Sequence, residues 1–206
     1  MNILIHPTYF PSISHFIAIS KTKSVIFEVE DNYQKQTYRN RAYVYGANGK
    51  LLLNVPVSFT QKNRQKSKDV RISYAEDWRS QHWKTLTSAY RTSPFFEYYQ
   101  DELKPLFEIK CNYLIDLNFK CMETVLDCLQ LNIDSSITKT YEKHVEHSQD
   151  FRFLVNARKE PNFKLDEYFQ VFAEKHGFLN NLSILDLLFN EGPNAFGYLK
   201  SQSLIF

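Results

Sequence analysis

Apolar and polar positions alternate in short blocks over the first part of the chain, and these blocks predict two strands and a helix. The apolar run Asn2–Ile5 and the later run Ser24–Val29 are typical of buried strands. Between them, Ser12 is placed to cap a helix that begins at Ile13. Strand, helix and strand within about 30 residues are typical of a βαβ unit, whose two strands run parallel.

The carboxyl ends of these two strands lead into the most polar part of the sequence. The segment Asn32–Arg41 combines cations, amides and phenols, and it contains no aliphatic residue. In open α/β sheets, ligands bind beyond the carboxyl ends of the strands. We therefore expect the segments that follow the two strands, His6–Pro11 and Glu30–Arg41, to meet at one site.

Beyond Arg41 the pattern changes twice. Two alternating runs flank the turn-forming pair Asn48-Gly49, which predicts a β-hairpin. From Asp77 onward the period becomes helical, because large side chains recur at every fourth position and so share one face of a helix. The residues on this face are Trp78, His82, Leu86 and Tyr90.

The rest of the chain is predicted to be mainly helical, with a few strands. Helices are predicted from about Phe95 to Pro105, along 114–129, from Asn181 or Ser183 to Gly192-Pro193, and onward to Lys200. Strands are predicted at Val70–Ser73, Ser136–Tyr141 and Tyr168–Phe172, and a long loop at Glu142–Phe163. The pattern indicates an α/β fold with a βαβ start, a mixed sheet, a β-hairpin insertion and a helix-rich C-terminal half, in one domain over residues 1–206.

The composition shows a surplus of aromatic residues and argues against nucleic acid and membranes as partners. The 206 residues include 13 Tyr, 17 Phe and 2 Trp, enough to fill a core and also line a pocket. The formal net charge of +2 predicts no binding to nucleic acid or to a membrane surface, and no apolar run is long enough for a membrane span. The 3 cysteines match neither a CxxC pair nor a secreted disulfide framework, which indicates free thiols in a reducing cytoplasm.

The polar string Asn32–Arg41 offers the groups that bind an anionic small molecule. Lys35, Arg39 and Arg41 carry its positive charges, and a guanidinium group matches phosphate or carboxylate oxygens with two hydrogen bonds. Asn40 lies between the two arginines. Two tyrosines of the same string can stack on a base or a sugar, namely Tyr33 and Tyr38.

A structural alternative stays open for the same residues. Arg39 and Arg41 can form ion pairs with Glu28 and Glu30 while the tyrosines pack in the core. The basic run Gln61–Lys68 has a similar alternative, since it is typical of a solvated mobile loop but is also able to close over an anion.

Histidines are the candidates for proton transfer. His6 follows the first strand, and His82 lies beside two tryptophans. Either can instead be a histidine that is hydrogen-bonded inside the fold. His144 and His147 have the spacing of two metal ligands on one helical turn, but no third ligand follows at a diagnostic spacing, so no metal site is predicted. Nucleotide-binding and hydrolase motifs are absent, and no particular cofactor is indicated.

Several segments along nearly the whole chain form a set that is more specific than any one of them. The set comprises Pro7–Pro11, Tyr33–Arg41, Gly46–Gly49, Val55–Val57, Trp78, His82, Trp83, Tyr90, Ser93–Tyr99, Tyr168–Phe172 and Leu182–Pro193. Together they resemble the WbqC-like family, bacterial proteins often encoded with surface-polysaccharide genes, and look closest to the branch common in Bacteroidetes-type bacteria. Other branches place a histidine two residues before the first proline, where this chain has Ile5.

This resemblance implies a cytoplasmic, enzyme-like protein that modifies small molecules or sugars, for example a transferase of acyl or aminoacyl groups for O-antigen or related polysaccharides. It also favours a functional role for Lys35, Arg39, Asn40 and Arg41. The oligomeric state does not follow from the sequence.

The leading hypothesis is a transferase that acts on an activated anionic small molecule such as a nucleotide-linked sugar. Its substrate contacts are Tyr9, Lys35, Tyr38, Arg39, Asn40, Arg41, Trp78, Tyr90 and Gln170. The cations hold phosphates. Asn40 orients the donor, and His82 or His6 transfers the proton. The rival hypothesis is a non-catalytic binding or scaffold protein of a polysaccharide assembly complex, which uses the aromatic surplus as an interface.

Overall fold

The computed structural model describes residues 2–58 and 64–204 and has an α/β fold. The strands are β1 (Asn2–Ile5), β2 (Ser24–Phe27), β3 (Arg41–Gly46), β4 (Gly49–Asn54), β5 (Val57–Ser58), β6 (Arg71–Ile72), β7 (Asp134–Ile137) and β8 (Gln149–Asp150). The helices are α1 (Ile13–Ser20), α2 (Trp78–Tyr90), α3 (Phe96–Leu103), α4 (Leu114–Cys128), α5 (Ala173–His176), α6 (Ile184–Glu191) and α7 (Ala195–Ser201). The α/β class and the helix-rich second half are confirmed.

The predicted βαβ start is also confirmed. β1 and β2 are parallel neighbours, with Ile3 opposite Val25. Every residue of α1 is buried between them and the rest of the fold. Ser12 precedes the helix as predicted, but its hydroxyl bonds to the His15 Nδ1 atom at 2.8 Å and does not cap the first turn.

β1 and β2 form the centre of a four-stranded sheet with the order β7-β2-β1-β8. All of its neighbouring strands are parallel, because each strand is reached by a long connection from the previous one. The antiparallel pairs β3–β4 and β5–β6 form separate sheets, so the main sheet is parallel where a mixed sheet was expected. Its carboxyl ends therefore share one edge, which is where a ligand site is expected.

The predicted hairpin is formed by β3 and β4. Arg41 pairs with Asn54 and Gly46 pairs with Gly49, which leaves Ala47 and Asn48 as a two-residue turn. Gly49 has a φ of +101°, a backbone conformation that favours glycine. The hairpin start thus lies directly after the polar string.

The helix predicted from Asp77 is confirmed as α2. The Asp77 carboxylate accepts from the Ser80 backbone N–H at 3.5 Å. The predicted stripe forms the buried face of this helix, which consists of Trp78, His82, Leu86, Ala89 and Tyr90. No helix in the described part of the chain combines the length and apolar character that crossing a membrane requires.

The strand predicted at Tyr168–Phe172 is wrong. This segment is irregular and turns into α5. Its polar groups bond to side chains and not to a neighbouring strand: the Gln170 amide bonds to both the N–H and the C=O of Leu179. The Tyr168 hydroxyl donates to Asp186. Alternating aromatic and polar residues predict a strand, but here the same alternation places side chains that anchor an irregular segment.

Three other segments differ from their predicted bounds or predicted structure. The strand predicted at Ser136–Tyr141 is β7, which begins two residues earlier, at Asp134. The predicted loop Glu142–Phe163 contains β8 and a 3-10 turn at Arg152–Val155. In the basic run Gln61–Lys68, residues 61–63 lie outside the described residues. The described part is anchored, because Lys66 and Lys68 both donate to the Glu30 carboxylate.

Gly192 is a position that requires glycine. It ends α6 with a φ of +52°, and a Cβ atom at this position would lie 2.5 Å from the Phe95 ring. We expect Gly192→Ala to lower the free energy of unfolding by about 2–3 kcal/mol, from backbone strain and steric overlap. Urea denaturation measures this change. Gly197→Ala is the matched control, since no atom lies within 4 Å of its Cβ position. Equal effects of the two substitutions would contradict the prediction.

Candidate functional site

The two polar segments that were expected to meet do so at the carboxyl ends of β1 and β2. The His6 Nε2 atom lies 3.0 Å from one oxygen of Asp31. The Arg39 guanidinium donates to the same oxygen, and the Ser67 hydroxyl donates to the other at 2.7 Å. These four buried side chains, the Asp31 cluster, link the first strand to the polar string.

Asp31 carries the negative charge of this cluster, and Arg39 balances it. Burial raises the pKa of Asp31, but the hydrogen bond from His6 and the charge of Arg39 outweigh burial, so the pKa lies below its ordinary value. Burial and the charge of Arg39 lower the pKa of His6, whose neutral ring donates from Nε2 to Asp31. The His6 Nδ1 atom faces the backbone oxygen of Arg152 at 3.3 Å. In this neutral tautomer Nδ1 carries no proton, so only Nε2 of His6 is hydrogen-bonded and Nδ1 faces the carbonyl oxygen as a second acceptor.

A second charged group adjoins the Asp31 cluster and was missed from the sequence. Arg152 pairs with Glu28 at 3.2 Å and with Asp150 at 2.7 Å. It also donates to the backbone oxygens of Glu142 at 2.7 Å and Lys143 at 3.2 Å. One guanidinium thus joins the end of β2, strand β8 and the chain before β8. The available signal was a lone arginine between two phenylalanines after an acidic residue.

These two groups line an open cleft of about 370 Å³, called the polar cleft. Its charged and histidine lining comprises His6, Asp31, Arg39, Lys143, Asp150 and Arg152. Its other lining residues are Gln34, Tyr141, Phe153, Val155 and Asn156. The volume falls in the range of about 300–1,000 Å³ that is usual for small-molecule sites.

Arg39 has hydrogen-bond donors to spare. The residue is 3% exposed and donates through Nη2 to Asp31. Its Nε and Nη1 atoms are buried and have no hydrogen-bond partner among the described residues. A buried donor without a partner costs free energy, so a ligand oxygen that reached this guanidinium would be bound favourably.

Three predicted site residues meet elsewhere, in the core against α2. The Tyr9 hydroxyl lies 3.0 Å from the His82 Nδ1 atom, and the rings of Tyr9 and Trp78 pack edge to face at 6.4 Å. Burial lowers the pKa of His82 to about 4, so its neutral ring accepts the hydroxyl proton. These three residues are separate from those that line the polar cleft.

The rest of the polar string is divided among several environments. The buried Tyr38 donates its hydroxyl proton to Glu160. The Asn40 amide donates to the Val55 backbone oxygen at 2.9 Å, which holds it against the hairpin. Lys35 is exposed, and Arg41 is partly exposed at the start of β3. The string therefore does not form one continuous binding surface.

The ion pairs considered from the sequence, between Arg39 or Arg41 and Glu28 or Glu30, do not form among the described residues. Arg39 binds Asp31 instead. Glu28 forms an ion pair with Arg152, and Glu30 forms ion pairs with Lys66 and Lys68.

Tyr90 and Gln170 converge on a buried carboxylate that was also missed, that of Asp186. The Tyr90 hydroxyl donates to one oxygen at 2.7 Å, while the Tyr168 hydroxyl and the Gln170 amide donate to the other. Burial raises the pKa of Asp186 to about 6, against the three donors, which favour the charged form. These four residues, the Asp186 cluster, lie in the core. The sequence signal was an acid within the otherwise apolar run Ile184–Phe189.

Of the predicted residues, the structure thus brings His6 and Arg39 to the polar cleft. With cations and carboxylates side by side, this cleft can bind a small molecule that carries both an anionic group and hydroxyls. In the described part of the chain, no group of three or more His, Cys, Asp or Glu side chains is arranged to hold a metal ion.

Comparisons with known proteins place this cleft within a matched region. The sequence model of the WbqC-like protein family matches residues 6–169, an interval that contains every residue lining the polar cleft. A protein of Mycobacterium tuberculosis (strain ATCC 25618 / H37Rv), named uncharacterized protein Rv1507c, is 24% identical over an alignment of 225 positions, gaps included, that covers 96% of each chain. No solved structure matches the chain significantly.

Proposed function

We propose, from the premise that the chain belongs to the WbqC-like protein family, that it is a cytoplasmic transferase acting on an activated anionic small molecule in surface-polysaccharide biosynthesis. The observation that carries this proposal is the polar cleft at the carboxyl ends of β1 and β2. Its ligand is a sugar phosphate or a nucleotide-linked sugar.

The charges of the cleft support a ligand whose anionic group binds at the rim. Arg39 and Arg152 are each compensated by a carboxylate within the cleft. Lys143 is exposed, and its ammonium group forms no ion pair among the described residues. Lys143 therefore supplies the uncompensated positive charge, and a phosphate would meet it first.

The interior of the cleft suits the hydroxyls and the ring of a sugar. The Asp150 side chain is 39% exposed, so its carboxylate can accept from a ligand hydroxyl. Tyr141 and Phe153 add aromatic faces against which a ring can pack. In this proposal Asp150 also receives the proton of the attacking group, because His6 faces Asp31 and the backbone oxygen of Arg152 and His82 is buried in the core.

The rival reading as a scaffold protein has weaker support. Among residues 2–58 and 64–204, the large apolar side chains that are exposed are Leu51, Leu52, Tyr98, Ile137, Tyr141 and Phe169. They are spread over β4, α3, β7 and two irregular segments, whereas a docking surface needs a contiguous patch.

A thermal-shift and titration screen tests the proposal with nucleotides, nucleotide sugars, acyl-CoA and amino acids. We expect a nucleotide sugar to raise the Tm of the wild type, because a ligand that binds the folded state stabilises it. Lys143→Ala is expected to lower the affinity for this ligand about tenfold, which corresponds to the loss of one charge-assisted hydrogen bond. Lys84→Ala, an exposed lysine on α2 away from the cleft, is the matched control and should bind like the wild type.

Two results would contradict this assignment. One is that no member of the panel stabilises the wild type. The other is that Arg41→Ala abolishes binding while Lys143→Ala does not, which would move the site from the polar cleft to the hairpin end of the polar string.

A further inference from the structure

A second cleft, of about 320 Å³, lies beside the polar cleft and is called the apolar cleft. Its floor is formed by Leu4 and Ile26, which are opposite each other in the register of β1 and β2. Side chains alternate along a strand, and Ile3 contributes to the other face of the sheet, where it lines a different cleft with Ile17 of α1. The apolar cleft is therefore on the face of the sheet that α1 does not cover.

The two clefts share one wall, the segment 139–149, called the strap. Tyr141 and Lys143 line the polar cleft, while Thr140 and Glu142 line the apolar cleft. Successive residues thus face opposite sides, so the strap backbone runs between the clefts. Arg152 fixes this wall through its hydrogen bonds to two strap carbonyls.

The lining of the apolar cleft selects an aliphatic ligand. Besides Leu4 and Ile26, its walls include Val145, two threonines and Glu28, whose carboxylate is paired with Arg152. A methylene chain would find branched aliphatic neighbours here, and the imidazole of His147 at the rim is the one ring among the lining residues. At roughly 30 Å³ per non-hydrogen atom, the volume of a water molecule in the liquid, the space holds about ten atoms.

The rim of the apolar cleft offers polar contacts for the head of such a chain. Lys139 and His147 are exposed there, with Glu142 as the opposing charge. Ser148 also lines the cleft, and its buried Oγ atom has no hydrogen-bond partner among the described residues. A carbonyl oxygen at the end of an aliphatic chain would satisfy this hydroxyl.

We infer that the apolar cleft is a binding site for a short aliphatic acyl chain of about eight carbons, with its carbonyl oxygen at Ser148 and its carrier toward Lys139. The inference rests on the proposed function, because it assigns an acyl chain to the side of the strap opposite the sugar-bearing ligand. It deepens that function by naming the chemical class of a second ligand, an aliphatic acyl group.

Calorimetric titration of the full chain with octanoate and butanoate tests this site. Octanoate is expected to bind at least about tenfold more tightly than butanoate, since each additional buried methylene adds to the affinity. Val145→Asn, at a partly buried residue of the strap, should weaken octanoate binding at least about tenfold. Ile26→Phe, which fills the cleft without adding a polar group, should show the same loss. Leu204→Asn is the matched control, because it makes a comparable change in the other apolar cleft, of about 300 Å³.

Each contrary result overturns the inference. Equal affinity for octanoate and butanoate would show that the additional methylenes are not buried, and so that no site for an aliphatic chain exists. Full octanoate affinity in both Val145→Asn and Ile26→Phe excludes the apolar cleft, and loss of binding in Leu204→Asn assigns the chain to the other cleft. Val145→Asn should bind a nucleotide sugar as tightly as the wild type. The nucleotide-sugar titration therefore tests the proposed function, and the octanoate titration tests the apolar cleft independently.

Discussion

Replacing Arg39 by alanine is expected to lower the free energy of unfolding by about 3–5 kcal/mol. Asp31 is 6% exposed, and Arg39 supplies its positive partner. Without the guanidinium, the carboxylate keeps a hydrogen bond from Ser67 and one from the neutral His6 ring, but no permanent charge compensates it. The cost comes from the uncompensated buried charge, and urea denaturation at pH 7 measures it.

The pH dependence separates this cause from a simple loss of packing. The wild-type pKa of Asp31 lies below its unfolded value, so the ion pair contributes its full stability above about pH 4 and loses it as the pH falls through the folded pKa. In Arg39→Ala the pKa of Asp31 rises, and acid then neutralises the buried carboxylate. The difference between variant and wild type should therefore shrink from pH 7 toward pH 4.

A double-mutant cycle completes this test. Asp31→Asn combined with Arg39→Ala should be less destabilised than the sum of the two single substitutions, since both remove the same interaction. Lys143→Ala, an exposed cation of the same cleft, should change stability by less than about 0.5 kcal/mol. A cost below about 1 kcal/mol for Arg39→Ala would show that water already compensates Asp31.

The beginning of the fold could be predicted because its signals are local. The apolar runs at Asn2–Ile5 and Ser24–Val29, the connecting helix and the turn signal Asn48-Gly49 each depend on neighbours in the sequence. The rule that ligands collect at the carboxyl ends of parallel strands then predicted that His6 and the polar string would meet. The structure confirms this meeting at Asp31.

The composition of the polar string, by contrast, did not predict how its members would be used. Tyr38, Arg39 and Asn40 are adjacent, yet their side chains bond to Glu160, Asp31 and Val55 respectively. Neighbouring residues of an irregular chain point in different directions, so a dense polar segment is divided among different partners. Side-chain direction, which the tertiary structure decides, was the missing information.

The partners that were missed are distant in sequence. Arg152 and Glu28 are 124 residues apart, and Tyr90 and Asp186 are 96 residues apart. β8, which positions Arg152, pairs through two residues, too few for any periodic pattern to reveal. No local rule connects such positions, because the pairing depends on which strand is added to the edge of the sheet.

The Asp186 cluster provides the second large effect: Asp186→Ala is expected to lower the free energy of unfolding by about 3–5 kcal/mol. The substitution removes the acceptor of three donors, those of Tyr90, Tyr168 and Gln170. It also releases the irregular segment before α5 from α6. Guanidinium denaturation of Asp186→Ala measures this loss, and a cost below about 1 kcal/mol would mean that the donors find other acceptors.

The charge of Asp186 gives this cluster a pH dependence of opposite sign to that of Asp31. Because its folded pKa is raised to about 6, above the unfolded value, the folded state binds the proton more tightly. The wild type should therefore lose on the order of 3 kcal/mol relative to Asp186→Asn as the pH rises from about 4 to 6, with no further change above that range. Taking the difference between the two proteins cancels the contributions of groups that titrate in both, including His82.

Asp116→Asn, at an exposed acid of α4, is the matched control and should show the same dependence of unfolding free energy on pH as the wild type. If Asp186→Asn also shows the wild-type dependence, Asp186 is not the group that titrates.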